Sequence, residues 1–542
     1  MKKISFFISV FFLASLFFLV SCNRTEKQSG TTSKSPCPTC GNMGLPLNEM
    51  TISEMEQGYH NQRFTVKEVV RTYLLRIKAL DQNGPHLNAF ITVNPDAMKI
   101  ADSLDKLLAE GKASGPLFGI PVVLKDNIDT HDKMACTAGS RALAGSHPLH
   151  DSWVAARLRA AGAIIIGKAN LSEWANFRCS FSSSGWSGMG GQTKNPYVLD
   201  RNPCGSSSGP GVAVSANLAM VGIGTETDGS IVCPSSANGI VGIKPTVGLI
   251  SRTGVIPISF TQDTPGPMTR TVSDAATLLG VLTGVDSADS KTFASKGHAY
   301  RDYTQFLKKG VLRGKRIGLY MAPMGIDYKV DTLMYRAVRF LESQGATVVK
   351  INKIMQPGTE AASFQVLLYE FKDGLNKYLK TLGPDAPVKT LQDIIAFNQS
   401  DSIELKYFDQ KLMLEAEAKG NLNSPGYKKA LKKMTTGSRK NGMDKVMNRY
   451  HLDAIIAPTG APAWKTDLVN GDHFVLGSSS PAAISGYPSI TVPMGFIQGL
   501  PVGISFFGRA WSEPLLIGMA YDFEQGTHHR DVPTFKKSVE NE

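Results

Sequence analysis

Three short runs in this chain are apolar almost throughout: Ile120 to Leu124, Ala163 to Ile166 and Met220 to Thr225. A strand with one wet face alternates polar and apolar residues, so a run without alternation belongs to a strand covered on both faces. Between these runs the period changes. Ser152 to Ala161 and the small-residue segment Val212 to Leu218 read as helices. Alternation of this kind predicts an α/β protein with a covered sheet.

The same pattern continues along the chain. Strands are expected at Arg316 to Tyr320, Thr347 to Ile351, Ala454 to Ala457, Ser489 to Val492 and Val502 to Phe506, and helices at Ser273 to Leu282, Asp331 to Ser343 and Pro514 to Gln525. Near the N-terminus, Thr65-Val-Lys-Glu68 has the form of a capping box, and Val66, Val69, Val70, Tyr73, Leu74 and Ile77 follow at helical spacing. That helix is expected to form an outer layer. The stretch from about residue 355 to 450 is more helical and more charged, and is expected to cap the functional site; its Tyr369, Phe371, Leu375 and Tyr378 fit either core or pocket. Because strands lie on both sides of this stretch, residues 49–542 are read as one catalytic domain.

The first 48 residues read differently. Met1-Lys2-Lys3 and the apolar run Ile4 to Val20 form a secretory signal pattern over residues 1–21, ending in Leu19-Val20-Ser21-Cys22. This ending resembles a bacterial lipobox, which implies cleavage before Cys22, lipid attachment to its thiol, and an exported, membrane-anchored protein in the periplasm or at the cell surface. Residues 22–48, rich in Ser, Thr, Gly, Pro and Lys, are expected to be a flexible tether. Cys37-Pro-Thr-Cys40 within it is read as a local disulfide or an inert pair, since a zinc ribbon needs a second such pair.

A formal net charge of +12 is compatible with polyanions, yet Lys and Arg are scattered, and short clusters such as Lys428-Lys429 and Lys432-Lys433 read as solvated helix faces. Nucleic acid is therefore not expected as a partner. Neither a metal nor an organic cofactor is implied: the ten histidines show no HExxH spacing, and Cys136, Cys179, Cys204 and Cys233 read as core thiols.

The chemistry lies in three Gly-flanked segments: Lys125 in Gly119-Ile-Pro-Val-Val-Leu-Lys-Asp-Asn127, Ser206 in Cys204-Gly-Ser-Ser-Ser-Gly209, and Ser230 in Thr225-Glu-Thr-Asp-Gly-Ser230. A serine hydroxyl needs a base before it attacks, and a desolvated neutral lysine serves as well as imidazole. In this order, and continuing through Gly239 to Gly254 and Asp263-Thr-Pro-Gly-Pro-Met268, the segments resemble the amidase signature family of serine hydrolases over a region of about 117–268. The resemblance implies that family's fold, a large mixed β-sheet covered by helices on both faces in a single domain. It also implies hydrolysis of carboxylic amides through an acyl-enzyme, with Ser230 as nucleophile, Ser206 as the bridging serine after a cis peptide bond, and Lys125 as base.

Backbone N–H groups at Thr227, Asp228 and Gly229 take the oxyanion role by the same correspondence, and Ser207 is the candidate substrate-binding hydroxyl. The family commonly has Gly-Gly before the nucleophile and Arg two residues after it; here Asp228-Gly229 precedes and Val232 follows. The segments around Ser206, Ser230, Gln262 and Asp467-Leu-Val-Asn-Gly-Asp472 resemble the peptide amidase branch most, which implies a small amide or amidated-peptide substrate.

Competing readings are weaker. Gly205-Ser-Ser-Ser-Gly209 also fits GxSxG, but Asn195 to Cys204 before it is loop-like, whereas that motif needs a strand entering the serine. The one SxxK, Ser103-Leu-Asp-Lys106, has no SDN or KTG companion. The related amidotransferase subunit acting on charged tRNA conflicts with the export signal. The alternative left open is a non-catalytic surface lipoprotein that binds amidated peptides or cell-wall fragments.

Overall fold

The computed structural model describes residues 44–539. Its strands are β1 (Phe90–Val93), β2 (Pro121–Lys125), β3 (Ile164–Ala169), β4 (Trp186–Ser187), β5 (Gly191–Gln192), β6 (Val221–Glu226) and β7 (Val241–Lys244). Then come β8 (Thr264–Thr269), β9 (Arg316–Tyr320), β10 (Thr347–Ile351), β11 (Ala454–Pro458), β12 (Ser489–Ile497) and β13 (Leu500–Phe507). Eleven of them form one sheet in the order β1-β3-β2-β6-β8-β7-β12-β13-β11-β9-β10, and β4 and β5 make a separate hairpin. The sheet is mixed: β2 runs parallel to β3 and β6, whereas β6 pairs antiparallel with β8.

The three largely apolar runs become β2, β3 and β6, each buried at every position. Burial of both faces explains the missing alternation, and each Val, Leu or Ile so covered contributes roughly 1.5–3 kcal/mol. Helices Trp153–Ala160, Ser208–Ser215, Val272–Leu282 and Glu513–Thr527 pack on the sheet, and apolar residues of all four, with others from helix Val66–Arg76, join its main apolar cluster. The capping box forms as read: Thr65 accepts from Glu68 N, and Glu68 returns to the Thr65 backbone.

The structure adds strands the pattern did not announce. β8 carries Pro265 and Pro267 in the sheet interior, where proline is disfavoured because it offers no N–H. Its neighbour β7 pairs with it only at Met268 and Thr269, so along the prolines the strand is hydrogen-bonded to β6 alone and a missing donor is tolerated. The packed chain also begins before residue 49: Leu47 is buried in the main core and Leu45 N donates to Thr72 Oγ1 at 3.1 Å. Cys22, Cys37, Cys40 and the signal segment lie outside the described residues. No helix among the described residues is long and apolar enough to cross a membrane.

Residues 359–450 are helical as expected, led by Thr359–Thr381, with Phe371, Leu375 and Tyr378 in a second apolar cluster. Their place differs from the expected cap. Helix Thr359–Thr381 braces the loop 258–263: Glu370 accepts from Ser259 Oγ at 2.5 Å and Thr261 N at 3.1 Å, and Ser363 Oγ donates to Gln262 Oε1 at 2.5 Å.

Candidate active site

β2 and β6 lie side by side and parallel, with Leu124 opposite Ile223, so their carboxyl ends open on the same edge of the sheet. In open α/β sheets ligands collect beyond the carboxyl ends of parallel strands. Lys125 is the last residue of β2, and the chain leaving β6 turns through residues 227–230 into helix Val232–Ala237. A third segment, the loop entering helix Ser208–Ser215, brings Ser206 to this edge. Its Gly205–Ser206 peptide is cis, as the resemblance implied. Glycine is required at 205 by close approach, since a Cβ there would collide with Ser172 Oγ. Ser172 N donates to Ser206 O at 3.1 Å and Ser207 N donates to Ser230 O at 3.1 Å, which locks the two serine segments together.

Lys125 is fully buried, with Nζ 2.7 Å from Ser206 Oγ, 2.9 Å from Thr225 Oγ1 and 3.2 Å from Thr225 O. Burial lowers its pKa to about 7, against the opposing pull of the Asp263 and Glu226 carboxylates. A neutral amine has two hydrogens and one lone pair. The three contacts match that inventory: Thr225 O and Oγ1 accept, and the Ser206 hydroxyl donates to the lone pair. Asn127 Nδ2 donates to Thr225 Oγ1 at 3.0 Å and holds that hydroxyl in place.

The turn at 227–230 is pinned from several sides. Glu226 Oε2 accepts from the N–H groups of Ile231 and Val232 at 2.8 and 3.0 Å, a carboxylate seated on the start of the following helix. Its other oxygen is buried without a hydrogen bond, and Lys244, fully buried and lowered to about 8 by that burial, interacts with it electrostatically. Thr227 Oγ1 donates to Asp263 Oδ1 at 2.6 Å, and Gln262 Nε2 donates to Thr227 O at 3.2 Å. Asp263 Oδ2 in turn accepts from Ile258 N and Ser259 N, both at 2.8 Å.

Cys204 and Cys233 are not core thiols; they form a disulfide across 29 positions of sequence, with Cα atoms 6.0 Å apart. It joins the residue two before Ser206 to the residue three after Ser230, and packs on Trp464. Cys136 and Cys179 remain free and buried.

A cleft of about 360 Å³ opens beside this constellation, lined by Cys204, Gly205, Asp228, Gly229, Val232 and Cys233, by Thr459, Trp464, Asp472, Phe474, Ser479 and Ser480, and by Asn176 and Ser184. Much of its lining therefore comes from residues 459–480, and none from the helical stretch 355–450. Ser230 is 8% exposed. Asp472 is engaged by Ser184 N (2.9 Å), Ser184 Oγ (2.5 Å), Asn202 Nδ2 (3.2 Å) and Trp464 Nε1 (3.1 Å). Asp228 is reachable from the cleft and accepts from Ser479 Oγ at 2.6 Å. Gly229 has φ +82°, the left-handed backbone that favours glycine.

Ser207 is fully buried outside that lining: its Oγ donates to Thr225 O at 3.0 Å and accepts from Thr225 N at 3.2 Å. A larger groove of about 700 Å³, sharing Trp464 and Asp472 with the cleft, runs along Pro462, Lys465, Asn470 and Val475. Among the described residues no group of three or more His, Cys, Asp or Glu is placed to hold a metal ion.

Thr225, Asn127, Glu226 and the Cys204–Cys233 pair were not singled out from sequence as parts of the site. Glu226 carried a signal, an acidic residue five and six positions before the helix N–H groups it caps, but one legible only once the turn is known.

Known amidases resemble this chain over most of its length. The family model described as Amidase matches residues 68–517. The chain is 43% identical to a probable amidase of Arabidopsis thaliana over 504 residues, covering 90% of this chain and 92% of the relative. It resembles the crystal structure of a peptide amidase in complex with the competitive inhibitor chymostatin at 49% identity and TM-score 0.88, covering 91% of this chain and 100% of the other. The native peptide amidase of Stenotrophomonas maltophilia is similar at 48% identity and TM-score 0.87, with 90% of this chain and 99% of that one covered.

Proposed function

The chain belongs to the amidase family and is a carbon–nitrogen hydrolase acting on amides, and from that premise we propose that it cleaves C-terminal peptide amides through a Ser230–Ser206–Lys125 acyl-enzyme mechanism. The observation that carries the mechanism is the buried Lys125 amine, lowered to about 7 and 2.7 Å from Ser206 Oγ, in a segment bonded to the Ser230 backbone.

Ser230 Oγ attacks the carbonyl carbon while its proton passes to Ser206 and the Ser206 proton passes to Lys125. The oxyanion is received by N–H groups of Thr227, Asp228 and Gly229, in a turn already fixed by Glu226, Asp263 and Gln262, so little reorganisation is needed as charge develops. Reverse transfer from Lys125 through Ser206 protonates the departing nitrogen, ammonia leaves, and water hydrolyses the ester by the same relay.

Support for a peptide substrate comes from the likeness to peptide amidases and from the 700 Å³ groove next to the cleft, which gives a peptide chain a place beyond Trp464. Phe474, Val475 and Val469 stand exposed on the same segment and offer apolar contact to its side chains. Lipid attachment at Cys22 and a periplasmic or surface location belong to the same reading, supported by the N-terminal pattern and by a disulfide, a bond that persists in oxidising compartments.

The test is ammonia release from amidated dipeptides, with rapid-mixing detection of the acyl-enzyme. Ser230→Ala should abolish the acylation burst while the protein still folds. Full activity in that variant, or cleavage of internal peptide bonds in place of terminal amides, would refute the proposal.

A further inference from the structure

Hydrolysis of a terminal amide replaces a neutral group by a carboxylate while leaving the rest of the ligand unchanged. The charges around the cleft therefore act on substrate and product differently. Among the described residues, two ionisable side chains line the cleft, Asp228 and Asp472, and no lysine, arginine or histidine joins them. The four hydrogen bonds that Asp472 accepts from Ser184, Asn202 and Trp464 commit it to holding the cleft wall.

Asp228 stands otherwise. It lies two residues before Ser230, is reachable from the cleft, and has its orientation set by the Ser479 and Ser480 hydroxyls. A carboxylate offers about four lone-pair positions, so acceptor capacity remains on the cleft side. We propose, building on the peptide-amide reading, that Asp228 is a specificity-determining residue: its carboxylate accepts a hydrogen bond from the carboxamide end of the substrate and repels the carboxylate that hydrolysis leaves behind. The acid is thereby refused as a ligand and expelled as a product.

The surrounding groups act in the same direction. Glu226 from β6 and Glu360 from helix Thr359–Thr381 add negative charge toward Asp228, Asp472 lines the same cleft, and Lys244 from β7 is a cation that interacts with Asp228. Although open to the cleft, the Asp228 carboxyl is closely surrounded by protein, and this desolvation raises its pKa to about 6. Below that pH it takes a proton, loses its repulsion, and becomes a donor to the acid.

The experiment is calorimetric titration of the Ser230→Ala protein with an amidated dipeptide and with its free acid, at pH 5 and pH 8, with and without Asp228→Asn. At pH 8 the acid should bind about 10- to 100-fold more weakly than the amide, the size expected of one close carboxylate pair at intermediate dielectric. Asp228→Asn should close most of that gap by tightening the acid, and should remove the gain in acid affinity seen at pH 5. Equal ratios with Asp and Asn at 228, or no pH effect in the protein that keeps Asp228, would overturn the inference. The pH arm requires no substitution at 228, so a poorly folding variant does not remove the test. If the dipeptide pair fails to bind but a small amide and its acid do, the peptide reading falls, and the ratio measured on the small pair still decides the role of Asp228.

Discussion

In the proposed mechanism Lys125 ties activity as well as stability to pH through one buried amine. Its folded-state pKa of about 7 lies below its ordinary 10.5, so between those values the unfolded chain holds a proton that the native site does not. Stability therefore falls as pH is lowered from about 10.5 to about 7 and levels off below, the cost of the charged buried form being about 5 kcal/mol at roughly 1.4 kcal/mol per unit. Acylation should follow the same group. A pH profile of kcat/KM is expected to drop on acidification through about 7, and Lys125→Arg should leave the acylation rate several orders of magnitude down at every pH, since guanidinium stays protonated. Near-normal acylation by the Arg variant would assign the base elsewhere. Lys125, Ser206 and Ser230 were legible in the sequence because each sits in a glycine-flanked segment that little else explains. Thr225 and Asn127 were not, because a threonine at a strand end and an asparagine after a strand look the same whether or not they hold a lysine.

The segment carrying Ser206 and the helix after Ser230 are joined by the Cys204–Cys233 bond, which closes a loop of 29 positions. Loop-closure entropy gives such a bond about 3–4 kcal/mol of stabilisation. Replacing both cysteines by serine should lower the denaturation midpoint accordingly, and should lower kcat as well, because the two serine segments lose a tie lying within three residues of each. A peptide map without the 204–233 cross-link, or an unchanged midpoint, would contradict the bond or its weight. Sequence showed the two thiols but not their pairing, which depends on how β6 and the helix Ser208–Ser215 bring distant residues together. The strands that carried an uninterrupted apolar run were legible for the opposite reason, since burial on both faces writes itself into every residue. β8 was hidden by Pro265 and Pro267, and it survives in the sheet interior because its second neighbour begins only after them.

At the scale of the whole molecule, one sheet unites residues on both sides of the helical stretch 359–450, which sequence anticipated, but that stretch braces a loop where a cap was expected. The proposed lipid anchor belongs to this scale too: the wild-type protein should sediment with membranes, Cys22→Ser should move it to the soluble fraction, and a mature N-terminus at another residue would refute the anchor. The sheet order carries one more implication. The strands from the Lys125 and Ser230 region, β3, β2, β6, β8 and β7, are neighbours in one half, while β12, β13, β11, β9 and β10 fill the other, and the loop beyond β11 supplies Trp464, Asp472, Phe474 and Ser479 to the cleft. Residues 459–480 thus shape the cleft from a stretch of chain separate from Lys125, Ser206 and Ser230, while Asp228 keeps the proposed choice between amide and acid beside the nucleophile. Descendants of such a fold are free to reshape that part of the cleft by rewriting residues 459–480, while the residues next to the nucleophile pass down unaltered.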